Sequence, residues 1–179
     1  GGTIRRGLSS DISQWPGLMK AMSENLLAFS RPMGETIGPN LAEAWRYEDG
    51  GRVAVFELRK GVRWSGGYPF TADDMLFFYK DMLFDENARA SDRPTPPPDF
   101  IVDGEPIRLE KLDDYTVRFE SKRPMGRLLH ALGGDDYFAW PKHILSEYHP
   151  RYNPNADCGD FQQRTTRAQL LLTPDMPSL

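Results

Sequence analysis

The sequence predicts an α+β fold in which antiparallel hairpins are flanked by helices, and three observations predict it. First, Asp49-Gly50 separates the β-rich runs 44–48 and 52–59, and this dipeptide tolerates the positive φ that tight hairpin turns demand. Second, residues 107–112 and 115–120 alternate apolar and polar side chains on either side of Asp113-Asp114, the period of a half-buried strand pair. Third, Met75, Phe78, Tyr79, Met82 and Leu83 recur at helical spacing behind Thr71 and Asp74, which stand in capping-box register.

Along the chain, residues 3–8 suit a short strand that Ser9, Ser10, Asp11, Pro16 and Gly17 bring to an end. Leu18, Met22, Leu26 and Phe29 are spaced by four, four and three and predict an amphipathic helix over 18–29, closed by Pro32 and Gly34. The first hairpin follows, and Lys60-Gly61 turns it into Val62-Arg63-Trp64 before Gly66-Gly67. Asp73 and Asp74 favour the positive end of the helix predicted over 71–84. Residues 85–106 carry five prolines and Gly104, which reads as a long surface excursion without regular helix or central strand. After the second hairpin, Pro124 precedes a short helix around 125–132, and Pro141 starts another at 142–148.

Composition narrows the function. An apolar fraction of 39% with ten Phe, seven Tyr and four Trp supplies a core. The formal charge of −4 offers no basic excess for a phosphate backbone, so no nucleic-acid partner is expected. No apolar run has the length of a membrane span, so no direct membrane insertion is expected either. The start Gly1-Gly2-Thr3-Ile4-Arg5-Arg6 lacks the pattern of a secretory signal. The single cysteine, Cys158, permits no internal disulfide and no zinc cluster.

Catalytic and metal chemistry find little footing. The doublets Asp73-Asp74, Asp113-Asp114 and Asp135-Asp136 are adjacent residues that do not face each other, and they read as a helix cap, a hairpin turn and a loop. His130, His143 and His149 lie 13 and 6 residues apart, without metal-ligand spacing. No glycine pair carries a phosphate-cradle fingerprint, so no cofactor and no metal is expected. Trp45 and Trp64 flank strands and read as core, whereas Trp15 and Trp140 fall in loops and read as candidates for a cleft.

One resemblance organises the rest. The ordered run Asn40-Leu41-Ala42-Glu43-Ala44-Trp45, Glu48-Asp49-Gly50, Val55-Phe56-Glu57-Leu58-Arg59-Lys60-Gly61-Val62-Arg63-Trp64 and Pro69-Phe70-Thr71-Ala72-Asp73-Asp74 resembles the signature of the family 5 extracellular solute-binding proteins. Val102–Pro106, Lys111–Phe119 and Pro141–Ile144 are similar to later stretches of that family. The likeness covers residues 1–157 and departs at Ser65-Gly66-Gly67-Tyr68, where the family carries Ser-Asp-Gly. It is lost at Asp157-Cys158, so residues 158–179 are expected to be a tail foreign to the family. A shifted frame, a truncated gene or a wrong gene join would each produce such a tail.

The resemblance implies the N-terminal part of a two-lobed periplasmic-binding-protein-like fold, with the second lobe missing. It implies an extracytoplasmic solute-binding component of an ABC importer, for peptides, working by lobe closure and without bond making. The implied partners are a peptide or other small solute and the permease and ATPase subunits. Ser9, Ser10 and Asp11, which follow the first strand, are the implied ligand-binding residues, with a plain surface loop as the competing reading. The competing functions are a secreted hydrolase using acidic residues and a non-functional gene remnant. Because residues 158–179 carry no long apolar stripe, deleting them is expected to leave the melting temperature unchanged in a thermal scan. A fall of many degrees would make the tail an integral element.

Overall fold

The run Val53–Leu58 is apolar on both faces except at Glu57, so it can be satisfied only as an interior strand. The computed structural model, which describes residues 24–29, 36–64, 66–85, 98–134 and 139–156, places it there. Strands β1 (Leu27–Phe29) and β2 (Ile37–Pro39) form a small antiparallel pair. The main sheet has β3 (Ala42–Glu48), β4 (Val53–Leu58), β7 (Arg108–Asp113) and β8 (Thr116–Glu120), in the order β3-β4-β8-β7. The two predicted hairpins are thus both present, joined edge to edge by antiparallel pairing of β4 with β8. Strands β5 (Ile101–Val102) and β6 (Glu105–Pro106) make a third, two-stranded piece.

The turn between β3 and β4 holds Asp49, Gly50 and Gly51 in the left-handed region, at φ 49, 62 and 87, which is what the Asp-Gly signal anticipates. Helix α1 (Ala72–Leu76) opens on the Thr71–Asp74 capping box and continues as a wider π-helical turn over Phe77–Leu83. The predicted helix over 71–84 is therefore present, with its second half wound more loosely than the spacing implied. Helix α2 (Leu128–Gly133) and helix α3 (Lys142–Leu145), which runs into a 3₁₀ turn at Ser146–Tyr148, match the two short helices expected.

Two expectations are corrected. The helix predicted over 18–29 does not include its last residues, because Leu27–Phe29 is a strand paired with Ile37–Pro39. Neighbouring Leu26 and Leu27 are both buried, which a single helical face does not deliver. Phe29 and Leu27 also lie within 3.6 and 3.7 Å of where a side chain on Gly133 would begin, so tertiary packing overrides the local spacing. The excursion over 85–106 does not run wholly over the surface where it is described. Asp103-Gly104, at φ 53 and 79, is a second Asp-Gly hairpin turn, and Phe100 beside it is buried.

The core lies on one face of the sheet, where Phe56 and Phe119 meet edge to face at 5.5 Å, with Leu109, Val117, Met75 and Tyr79 packed about them. The Tyr79 hydroxyl donates to the Ile107 carbonyl, which satisfies the one polar atom that its burial would otherwise strand. On the other face, Val53 and Val55 are buried beneath paired charges. Arg46 meets Glu48 and Glu57, and Arg118 meets Glu110 and Glu120. Lys111 bridges Asp114 of the second turn and Asp73 of α1 at 2.6 and 2.8 Å, tying the helix start to the sheet.

Replacing Phe56 by Ala should cost about 3–5 kcal/mol, the range for emptying a fully buried aromatic site. Leu112→Ala, at a half-exposed position, should stay within about 0.5 kcal/mol. Urea denaturation of the two variants measures the contrast.

Candidate functional site

Ser9, Ser10 and Asp11 lie outside the described residues, as do the strand at 3–8, Trp15, Asp135-Asp136 and residues 158–179. What the described residues bring together is different: a polar seam along α1, where residues 139–156 lie across it. Helical spacing puts Ala72, Met75 and Tyr79 on one side of α1 and its extension, in the main core, and turns Phe77 to the other, against Trp140 and Leu145. Asp74 and Asp81, seven residues apart, fall on that second side. Both are buried, at 4% and 3% exposure, so each needs donors from the protein.

Asp74 finds three. Its Oδ2 accepts the Thr71 amide at 3.0 Å and the Trp64 indole N–H at 3.2 Å, and its Oδ1 accepts the Lys142 amide at 3.0 Å. Burial pushes its carboxyl above the ordinary range, against the pull of these hydrogen bonds and of nearby His143. His143 in turn stacks on Tyr68 with ring centres 4.1 Å apart. Tyr68 is 57% exposed, so much of its ring remains open to solvent.

Asp81 is the second node. Its carboxylate accepts from the Arg151 guanidinium and from the Tyr152 hydroxyl, and its backbone carbonyl lies 2.9 Å from Nε2 of buried His149. Nδ1 of His149 accepts the Arg151 amide at 3.1 Å, so the ring is the neutral Nε2–H tautomer and donates to Asp81. Arg151 also reaches Asp85 at 3.3 Å. Burial, followed by the hydrogen bond to Asp81, raises the Tyr152 phenol well above its ordinary value.

Sequence reasoning missed this second node. The signal was present in Asp74, Asp81 and Asp85, which recur at helical spacing beside the apolar stripe. It reads as a solvated edge until a second segment is laid upon it. Trp140, which with Trp15 reads as a cleft candidate from its loop position, is buried and stacks on Phe78 at 6.3 Å. Of the acidic doublets, Asp73 pairs with Lys111, Asp74 caps α1, Asp113 accepts the Tyr115 amide and Asp114 pairs with Lys111, so each described member serves a cap or a turn. Among the described residues, no group of three or more His, Cys, Asp or Glu side chains could hold a metal ion. No described helix is long and apolar enough to cross a membrane.

The fold and the sequence match known proteins. The family described as bacterial extracellular solute-binding proteins, family 5, middle region, matches residues 36–166. The chain belongs to that family. The periplasmic alpha-galactoside-binding protein of Rhizobium meliloti is 36% identical over 115 residues, 64% of this chain and 16% of its own. Di/tripeptide-binding protein 1 of Pseudomonas aeruginosa is 39% identical over 95 residues, 48% of this chain and 18% of its own. The solved periplasmic binding protein MelB of Agrobacterium fabrum, in complex with stachyose, superposes with a TM-score of 0.71 at 30% identity, over 84% of this chain and 23% of that one. The chain thus spans under a quarter of the length of each. Its fold is that of part of a two-lobed periplasmic binding protein.

On the Asp74 carboxyl alone, the folded state holds a proton more tightly than the unfolded chain. Its contribution to stability is therefore greatest at low pH and is lost as pH rises through the raised folded midpoint. Carbon-13 titration of the carboxyl should place that midpoint above 3.8. A midpoint below it would mean that the three hydrogen bonds outweigh burial. Tyr79 and Tyr152, both raised by burial, should stay protonated past the ordinary phenol range of about 10 in an ultraviolet titration.

Proposed function

We propose that this chain is part of the extracytoplasmic solute-binding component of an ABC importer, which captures a solute outside the cytoplasmic membrane and passes it to permease and ATPase subunits. The observation that carries the reading is the family match over residues 36–166, most of the chain. The work done is binding and release. Nothing in the polar seam along α1 offers a free acid–base pair, since both buried carboxylates are already engaged by protein donors.

Peptide is the solute class proposed first, supported by the likeness to a di/tripeptide-binding protein. In that mode, affinity comes from main-chain hydrogen bonds to the peptide backbone and tolerates varied side chains. A second reading, an α-galactoside oligosaccharide, is favoured by a specific observation. The relative matched over the longer stretch is an alpha-galactoside-binding protein, and the superposed structure holds stachyose, itself an α-galactoside. Ser9, Ser10 and Asp11 are proposed as ligand contacts in either case, through hydroxyl and carboxylate groups able to bond amide or sugar hydroxyl donors.

Titration calorimetry of the complete protein against a mixed di- to pentapeptide pool and against stachyose is the test. Micromolar or tighter binding of peptides, weakened by Asp11→Ala, is expected. Binding of stachyose alone would install the second reading, and failure of both would sink the solute classes named. The isolated 179-residue chain should bind several orders of magnitude more weakly, because a partial wall leaves the ligand's other face in water at undiminished entropic cost.

A further inference from the structure

The segment 139–156 is attached to the rest of the fold differently from every strand. Its own backbone hydrogen bonds close on themselves, Leu145 to Pro141, His149 to Ser146, Tyr152 to His149 and Ala156 to Asn153. Its main apolar contact is a small cluster of Trp140 and Leu145 on Phe77, which meets the main core beneath the sheet only at its edge, through Ala139 and through Phe78, on which Trp140 stacks. Its polar attachment runs along one helix, chiefly at Asp74 and Asp81, with Arg151 also reaching Asp85 just past the helix end. Asp74 takes the Lys142 amide at one end, and Asp81 takes His149, Arg151 and Tyr152 at the other.

We infer that residues 139–156 form a clasp that opens and closes as one unit, separately from the sheet, and that Asp81 is the catch that holds it shut. This goes beyond the transport reading and does not depend on which solute is bound. Regions with few long-range backbone bonds and an apolar cluster of their own open at lower free energy than the strands of a main sheet. The catch is strong for its size because three donors converge on one buried residue, and a hydrogen bond to a buried charge outweighs a neutral one. Opening would leave the Asp81 carboxylate without two of its donors, so the clasp favours being fully shut or fully released over partial fraying. The wider turn of Phe77–Leu83 lies under both the apolar cluster and the catch, a place where π-helical windings recur at working parts of proteins.

Native-state hydrogen exchange read by mass spectrometry or NMR tests this on the full chain. In the unaltered protein, the amides of Leu145, His149 and Tyr152 should exchange through an opening with a shallower denaturant dependence than those of β4 and β8. A single shared isotherm would overturn the inference. Asp81→Asn should lower protection of the clasp amides by roughly 10- to 100-fold, the scale of one or two charge-assisted hydrogen bonds, and leave the sheet amides unchanged. Equal loss in both would make Asp81 an ordinary element of global stability and end the proposal. Tyr152→Phe removes one donor and keeps the ring, so it should produce a smaller loss confined to the clasp. It decides the matter together with the unaltered protein should Asp81→Asn fail to fold, and no change in clasp protection in Tyr152→Phe would also count against the catch.

Discussion

A carboxylate removed from water must find its hydrogen bonds in the protein, and α1 buries two of them. That requirement shapes everything packed around the helix. On its N-terminal turn, Asp74 draws in the Trp64 indole from the loop after β4, the Thr71 amide from its own cap and the Lys142 amide from the segment beyond α2. The loop after β4, the helix cap and the sequence-distant segment at Lys142 are thereby fixed at a single side chain. Two helical turns later, Asp81 does the same for His149, Arg151 and Tyr152. The helix is therefore more than a cover for the sheet, since it has an apolar side for the core and a polar side that holds a second layer.

The sheet supplies the opposing surface through local and non-local pairing. Each hairpin is specified by its turn and its alternation, within about twenty residues of chain. Their union through β4 and β8 pairs Val53 with Glu120 and Glu57 with Thr116, across more than fifty intervening residues. Once united, the buried sides of both hairpins give a common floor of Phe56, Phe119, Val117 and Leu109. Tyr79 and Phe100 close that floor from above, each meeting its neighbours edge to face.

What the sequence disclosed divides along the same line. Both hairpins, the Thr71–Asp74 cap and the short helices after Pro124 and Pro141 were legible, because turn chemistry, capping and side-chain period act over a few residues. Leu27–Phe29 reads as helix in the sequence, because the interaction that makes it a strand is its pairing with Ile37–Pro39, which no local spacing shows. The Asp103-Gly104 hairpin carried a readable turn, hidden among prolines that argued for loop. Of the polar seam, the Asp74 half was visible as a cap, but its bond to Lys142 was not. The Asp81 half showed only as a carboxylate at helical spacing, because its partners lie about seventy residues away and no local period announces them. The ligand contacts proposed at Ser9, Ser10 and Asp11 rest on family likeness alone.

The outer face of the sheet has a consequence for how its sequence can change. Arg118 stands directly opposite Glu110 and Val55 and also meets Glu120. Arg46 likewise answers Glu48 and Glu57. Removing Arg46 would take the cation they share from Glu48 and Glu57, and removing Arg118 would leave Arg108 as the cation paired with Glu110; like charges across neighbouring strands repel. Neutral drift one residue at a time is therefore penalised here. Exchange of opposite charges between paired positions would restore the pattern at little cost, so this face should vary among relatives through correlated swaps across the strands, while Val53 and Val55 beneath them vary only in size.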